Sequence, residues 1–298
     1  MNSITYKKLL DTIFKVIVFI FTFLSVVSLA AILIFILIKA MPIFKEVNFF
    51  EFMFGRTWAP TASEPKFGVF AFIIASIMTT LLAILVGIPV GLYTAIYISE
   101  IAPKKIGSYV LFVIEMLAAI PSVVYGFFGL TLIVPFIQNL FHLSSGSTLL
   151  SASIILAIMV LPTVVSLSTS SLQAVPNSVV EGSLALGATK IQTIFKTKIP
   201  YAKSGILTSF LLGLGRALGE TMAVILVAGN SNMMPNLMNF FGSYLQSGRT
   251  LTGNIVMELA YATGNHESAL FATGVVLFLF VSIINLIIMY VKKRGVSA

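Results

Sequence analysis

The chain has 298 residues, of which 58% are hydrophobic and only 9% charged, with a formal net charge of +8. A soluble protein carries about 25% charged residues, and a mean hydropathy of +1.05 leaves too little charge to clothe a water-facing surface. These figures exclude a soluble enzyme, a disordered chain and a nucleic-acid-binding domain, so no nucleic-acid partner is expected and the basic excess needs another explanation. Cysteine is absent and there are only two histidines, His142 and His266, far apart in the sequence. No thiolate or His-based metal site and no cofactor are therefore expected. Lipid is the partner that the composition demands.

A spanning helix needs about 20 largely apolar residues. Residues 16–38 supply 23 without a charge, and residues 67–99 supply 33. From Met116 to Val180 there are 65 residues without Asp, Glu, Lys or Arg, too many for one helix. The polar, turn-prone run His142-Leu-Ser-Ser-Gly-Ser-Thr148 divides them, giving a third span over 106–136 and a fourth over 148–170. A fifth is expected over 204–229 and a sixth over 268–291. Alternating apolar and polar strands are missing, which argues against a β-barrel. The expected fold class is all-α, a polytopic membrane protein with six transmembrane helices.

The first apolar run exceeds the 7–15 residues of a signal-peptide core and no A-x-A site follows it, so it is expected to stay as a span. Basic residues set orientation. With both termini cytoplasmic, twelve of the eighteen Lys and Arg residues fall on the inner side and five on the outer. The eighteenth, Arg216, lies inside the fifth span. Pro89, Pro121, Pro135 and Pro162 fall within spans, where they mark hinges or kinks without transport meaning. Gly87 and Gly91 are expected to serve helix packing. His266-Glu267 opens the last span and reads as polarity at the membrane surface. The outer loop is rich in aromatics (Phe44, Phe49, Phe50, Phe52, Phe54, Trp58) and suits either an interfacial belt or a contact with another protein.

The inner loop over 176–200 carries more information. Ser178-Val-Val-Glu181 and Thr189-Lys-Ile-Gln192 both have the capping-box form, and Gly187 suits a helix end that needs positive φ. Ile191, Ile194, Phe195 and Ile199 approximate one apolar stripe beside Lys190, Lys196 and Lys198. Two short helices at a Gly turn are expected. On periodicity alone they could equally lie on lipid headgroups. Gly182-x4-Gly187 has Walker A spacing, but Ala188 stands where a phosphate-binding Lys is required, so the loop cannot cradle a nucleotide.

Three charges are expected inside the membrane. An Arg at mid-span costs roughly 2.5–3.5 kcal/mol on insertion scales, so Arg216 should face the bundle interior or an aqueous path. Glu220 is four residues on, on the same helical face, in the weaker order for an intrahelical pair. Gly215 and Gly219 beside them allow another helix to approach. Glu115, ten residues beyond Lys105, falls about 15 Å deep. These groups could form a structural salt-bridge cluster. Alternatively they handle an anion: the Arg fork suits a tetrahedral oxyanion, and a carboxylate can accept from the P–OH of a partly protonated phosphate, a donor that sulfate lacks.

Two resemblances sharpen this reading. Glu181, Gly187 and Ile199-Pro200 resemble the E-A-A-x3-G-x9-I-x-L-P loop of ABC-transporter permeases, with Gly182-Ser183 in place of Ala-Ala, Thr197 in place of Ile and Ile199 in place of Leu. Gly213-Leu-Gly-Arg-Ala-Leu-Gly-Glu-Thr-Met-Ala-Val-Ile-Leu-Val-Ala-Gly-Asn230 resembles the fifth-helix segment of PstC-type permeases of bacterial phosphate ABC importers. Tyr97-Ile-Ser-Glu-Ile-Ala-Pro103 and Ile120-Pro-Ser-Val-Val-Tyr-Gly-Phe-Phe-Gly-Leu130 agree with it. The R-x-x-G-E core is shared with molybdate and sulfate permeases.

The resemblance implies a type I ABC permease (MetI-like) fold in the bacterial cytoplasmic membrane. Residues 1–66 would form an N-terminal helix and outer loop, and 67–298 a five-helix permease core. It implies a heterodimer with a PstA-type permease, two cytoplasmic ATPase subunits and an extracytoplasmic phosphate-binding protein, with phosphate as cargo. This chain would not be an enzyme. Arg216, Glu220 and Glu115 would line the substrate path, and Glu181, Gly182, Gly187, Ile199 and Pro200 would couple to the ATPase.

Overall fold

The computed structural model describes residues 3–296. Helix α1 (Ser3–Ala40) leads through a 3-10 turn to an outer cap of α2 (Phe49–Phe54) and a small hairpin, β1 (Trp58–Ala59) with β2 (Lys66–Phe67). Helix α3 (Phe70–Ile96) ends in a π-helical turn, Tyr97–Ile101. Then follow α4 (Lys104–Ala118), α5 (Ser122–Phe128), α6 (Val134–Phe141), α7 (Leu149–Gln173), α8 (Asn177–Ala185) and α9 (Lys190–Thr193). A second π turn, Ile194–Lys198, opens α10 (Ile199–Gly219), and α11 (Met222–Val227), α12 (Phe240–Tyr244), α13 (Leu251–Glu258) and α14 (Asn265–Val296) complete the chain.

Among the described residues five helices are long and apolar enough to cross a membrane, against six expected. The segment over 204–229 does not form one continuous helix. Helix α10 stops at Gly219, Glu220 takes an extended backbone (φ −72°, ψ 129°), and α11 restarts two residues later. Gly213, Gly215 and Gly219 weaken the helix by about 1 kcal/mol each relative to Ala, and Lys203 and Arg216 lower its apolarity. The third expected span, 106–136, is also divided. Pro121 lacks an N–H and disfavours helix at the residue before it, so α4 and α5 are separate helices and the apolar span shifts to Ser122–Phe141.

Helices α3, α7 and α10 form the centre. Apolar side chains gain nothing by leaving lipid, so packing in this layer depends on close van der Waals fit. Gly87 supplies it: a Cβ there would sit 3.1 Å from the carbonyl oxygen of Ala157, so its absence lets the α3 and α7 backbones approach. The outer cap is held differently. Phe52, Trp58, Phe67, Phe72, Leu251 and Leu270 bury their side chains together, and removal of such groups from water contributes roughly 1.5–3 kcal/mol each. Helix α1 rests on α14, with Phe35 edge-on to Phe271 at 5.8 Å and Lys39 3.4 Å from Glu267. From Asp11 to Lys39 most of its side chains are exposed.

Candidate functional site

Arg216 lies on α10, partly buried, and its Nη1 donates to Thr163 Oγ1 of α7 at 3.4 Å. Thr163 follows Pro162, inside α7. No ion pair joins Arg216 to Glu220 or Glu115 among the described residues. The structure brings Arg216 and Glu220 to one place without pairing them. Because α10 ends at Gly219, the Glu220 side chain turns to the start of α11, where its Oε1 accepts from the backbone N–H of Thr221 at 3.1 Å and of Ala223 at 3.2 Å. The carboxylate thus satisfies donors freed by the break, as a helix cap does. The Glu220 carbonyl accepts in turn from Thr252 Oγ1 at 3.3 Å.

Glu115 does not join them; it lies exposed on α4. A Cβ at Gly215 or Gly219 would meet nothing within 4 Å, so no helix among the described residues packs against these two positions. Tyr125 of α5 is buried, and its hydroxyl donates to Leu117 O at 2.8 Å. Arg216 is thus bonded to a neutral hydroxyl, three residues before the helix break.

The inner loop folds as two short helices at a glycine turn. Gly187 has φ +85°, and the pair Ala188 N–H to Ser183 O (3.2 Å) and Gly187 N–H to Leu184 O (2.9 Å) closes α8 as a Schellman motif. Thr189 and Gln192 form the expected capping box. The other does not form: α8 begins at Asn177 behind Pro176, which places Ser178 inside the first turn and leaves Glu181 exposed.

The expected apolar stripe divides. Ile194 is buried and Ile199 packs beside it, in a cluster with Ile96, Leu172, Val175, Ala202 and Ile206. Ile191 and Phe195 face outward with Leu184 and with Leu186, which is 91% exposed. Gly182 and Pro200 are exposed, and a Cβ at Gly182 would be unobstructed. The departures from the permease loop pattern are linked: Thr197 Oγ1 donates to Ser183 Oγ at 3.1 Å, and Ser183 also lies 3.1 Å from Thr193 Oγ1.

A polar cluster where the Trp58 hairpin meets α13 and α14 was not legible beforehand. Glu258, 7% exposed, receives Trp58 Nε1–H at 2.8 Å, Arg249 Nη1 at 2.5 Å and His266 Nε2 at 2.8 Å. His266 is therefore buried against α13 rather than lying at the surface, and Arg249 is not a free outer charge. Arg249 also reaches Asn254 Oδ1 (3.0 Å) and Asn230 O (3.1 Å). An isolated buried carboxylate costs several kcal/mol; three donors, two of them basic, offset this. Trp58 is 200 residues from its partner, so no local spacing announces the contact. Phe52 and Trp58 are core residues, whereas Phe49, Phe50 and Phe54 remain exposed.

A membrane bundle with a broken, Arg-bearing helix and a capped inner loop matches the family described as the binding-protein-dependent transport system inner membrane component, over residues 87–296. The chain is 38% identical over 91% of its length (87% of the relative) to the probable ABC transporter permease protein YqgH of Bacillus subtilis. It is 31% identical to the phosphate transport system permease protein PstC of Haemophilus influenzae, covering 92% of this chain and 90% of that protein. The PstC of Pasteurella multocida is also 31% identical, over 82% and 81% of the two chains. Among solved structures, a bacterial alginate ABC transporter chain superposes with a TM-score of 0.59 at 16% identity, over 91% of this chain and 94% of that one. The MetNI methionine ABC transporter gives 0.55 at 20% identity, over 76% and 94%. These two establish the fold.

The chain belongs to this inner-membrane component family. It is a permease subunit of an ABC importer, not an enzyme, and works with a second permease, an ATPase and a binding protein.

Proposed function

We propose that this permease carries inorganic phosphate across the bacterial cytoplasmic membrane, paired with a PstA-type subunit, with both termini on the cytoplasmic side. The observation that carries the reading is the placement of Arg216: a guanidinium at a helix break, bonded to neutral Thr163 while the nearby Glu220 carboxylate is occupied by backbone N–H groups. Similarity to relatives named as PstC phosphate permeases supports the choice of anion. In this reading 204–229 crosses the membrane as a broken segment. Unwound backbone is tolerated at that depth where it lines a cavity.

Arg216 offers its fork to the phosphate oxygens, and the second carboxylate oxygen of Glu220 accepts from a P–OH group. Glu115, exposed on this chain, is the third residue proposed to line the path. Residues 1–66 serve as a peripheral helix and outer cap on a permease core of 67–298. The exposed apolar side chains of the 176–200 loop dock on the ATPase, with Glu181, Gly182, Gly187, Ile199 and Pro200 shaping that surface. ATP binding closes the ATPases, the loop moves, and the Arg216 region opens to each side in turn.

The test is reconstitution of the full assembly in proteoliposomes. Phosphate uptake that requires both ATP and the binding protein, and is not suppressed by excess sulfate or molybdate, is expected. Uptake by this chain alone under an ion gradient would overturn the proposal.

A further inference from the structure

Between the inner loop and the end of α3 lies an ion pair that the proposed translocation site does not use. Lys198 Nζ is 2.6 Å from Glu100 Oε1, with the two side chains only 14% and 8% exposed. Glu100 belongs to the π-helical turn that ends α3, and Lys198 closes the π-helical turn that leads the loop into α10. The residues are 98 apart in sequence. Among the described residues no other hydrogen bond or ion pair joins the 176–198 loop to α3 or its terminal turn.

We infer that Glu100 and Lys198 are positioning residues that make α3 follow the inner loop during the transport cycle. The loop is continuous in the chain with α7 and α10, but its link to α3 is non-covalent. The apolar cluster of Ile96, Leu172, Ile194 and Ile206 joins the same segments, yet apolar contact is non-directional and fixes no register. A short, nearly buried, charge-assisted bond does fix one. Each partner is also held by the cost of leaving the other charge buried alone.

From Glu100 the connection continues to the proposed path. Gly91 of α3 packs so closely on Val164 that a Cβ would lie 2.8 Å from its Cγ1. The residue before Val164 is Thr163, the acceptor for Arg216. A displacement of the loop is thus delivered along α3 to the helix that positions the guanidinium. This inference rests on the phosphate-import reading.

The experiment uses the reconstituted full transporter and measures phosphate taken up per ATP hydrolysed, together with ATPase co-purification. Glu100→Gln and Lys198→Met should each lower that ratio at least about fivefold, within the usual range of coupling effects, while the ATPase still binds and turns over. The exchanged variant Glu100→Lys with Lys198→Glu should recover most of it. An unchanged ratio in both single variants, or an exchanged variant that assembles but stays uncoupled, would overturn the inference. If the single variants fail to assemble, the exchanged variant decides: assembly with coupled uptake supports the pair as a strut, and failure to assemble reduces it to a folding contact. A wild-type transporter that does not couple ATP to uptake would instead sink the importer reading itself.

Discussion

Arg216 on α10 donates to Thr163 on α7 at 3.4 Å, a long contact between a cation and a neutral hydroxyl. Glu220 would be the obvious counter-ion by sequence spacing, yet its Oε1 is taken by two backbone N–H groups of the next helix. The break between α10 and α11 thereby separates a charge pair that a continuous helix would have placed on one face. In the proposed reading Arg216 keeps guanidinium donors for a ligand, and Glu220 has two separable duties, capping α11 and accepting from phosphate.

Those duties predict different outcomes for two substitutions. Glu220→Gln retains an acceptor for the Thr221 and Ala223 N–H groups but loses the negative charge facing a P–OH donor. The protein should fold and assemble normally, with phosphate uptake reduced about tenfold, equivalent to roughly 1.4 kcal/mol. Glu220→Ala should in addition cost about 1 kcal/mol through the lost cap, read as a lower melting temperature in detergent. Full uptake by Glu220→Gln would restrict the residue to capping.

At the inner loop, Ser183 and Thr197 replace apolar residues of the family pattern and bond to each other at 3.1 Å. Ser183→Ala or Thr197→Val alone should destabilise the loop by about 0.5–1.5 kcal/mol. The double variant Ser183→Ala with Thr197→Val should cost less than the sum, because an apolar contact replaces the hydroxyl pair. A double-mutant cycle on thermal stability measures the coupling. Strict additivity would mean that the two departures are unrelated.

Gly187 makes a sharper case, since no neighbour limits its side-chain space and only its φ of +85° resists substitution. Gly187→Val should cost about 1–3 kcal/mol of local strain, unwind the Schellman turn and lose the ATPase on co-purification. Gly182→Ala, with no positive φ and open space, should retain it.

The contrast between these sites explains what the sequence could disclose. The Thr189 capping box and the Gly187 turn depend on residues within a few positions, so their patterns are readable directly. The apolar runs gave the membrane layer for the same reason. Glu258 is the opposite case: its donors come from residues 58, 249 and 266, and only the assembled fold brings them together. His266 therefore reads as surface polarity until α13 is placed against it. The break at Glu220 was hidden because a membrane helix with several glycines looks continuous by composition. Glu115 could be assigned a depth by counting residues, but not a facing direction.

The outer cluster should behave as a structural clamp. Glu258→Ala leaves Arg249 nearly buried without its carboxylate and should destabilise the protein by about 3–5 kcal/mol. Trp58→Phe keeps the aromatic packing but loses one donor to a charged acceptor, at about 1.5–3 kcal/mol. Melting temperatures of the two variants in detergent should fall in that order. Equal, small shifts would show that the cluster does not hold the outer cap.

The most direct measurement is phosphate uptake by Arg216→Gln in the reconstituted transporter, with subunit assembly and basal ATPase rate followed in the same preparation. Glutamine retains polarity and length but not the charged fork. Loss of uptake with assembly and basal ATPase intact is the expected result and assigns Arg216 to the anion path. Uptake at the wild-type rate would make Arg216 a structural residue and contradict that assignment.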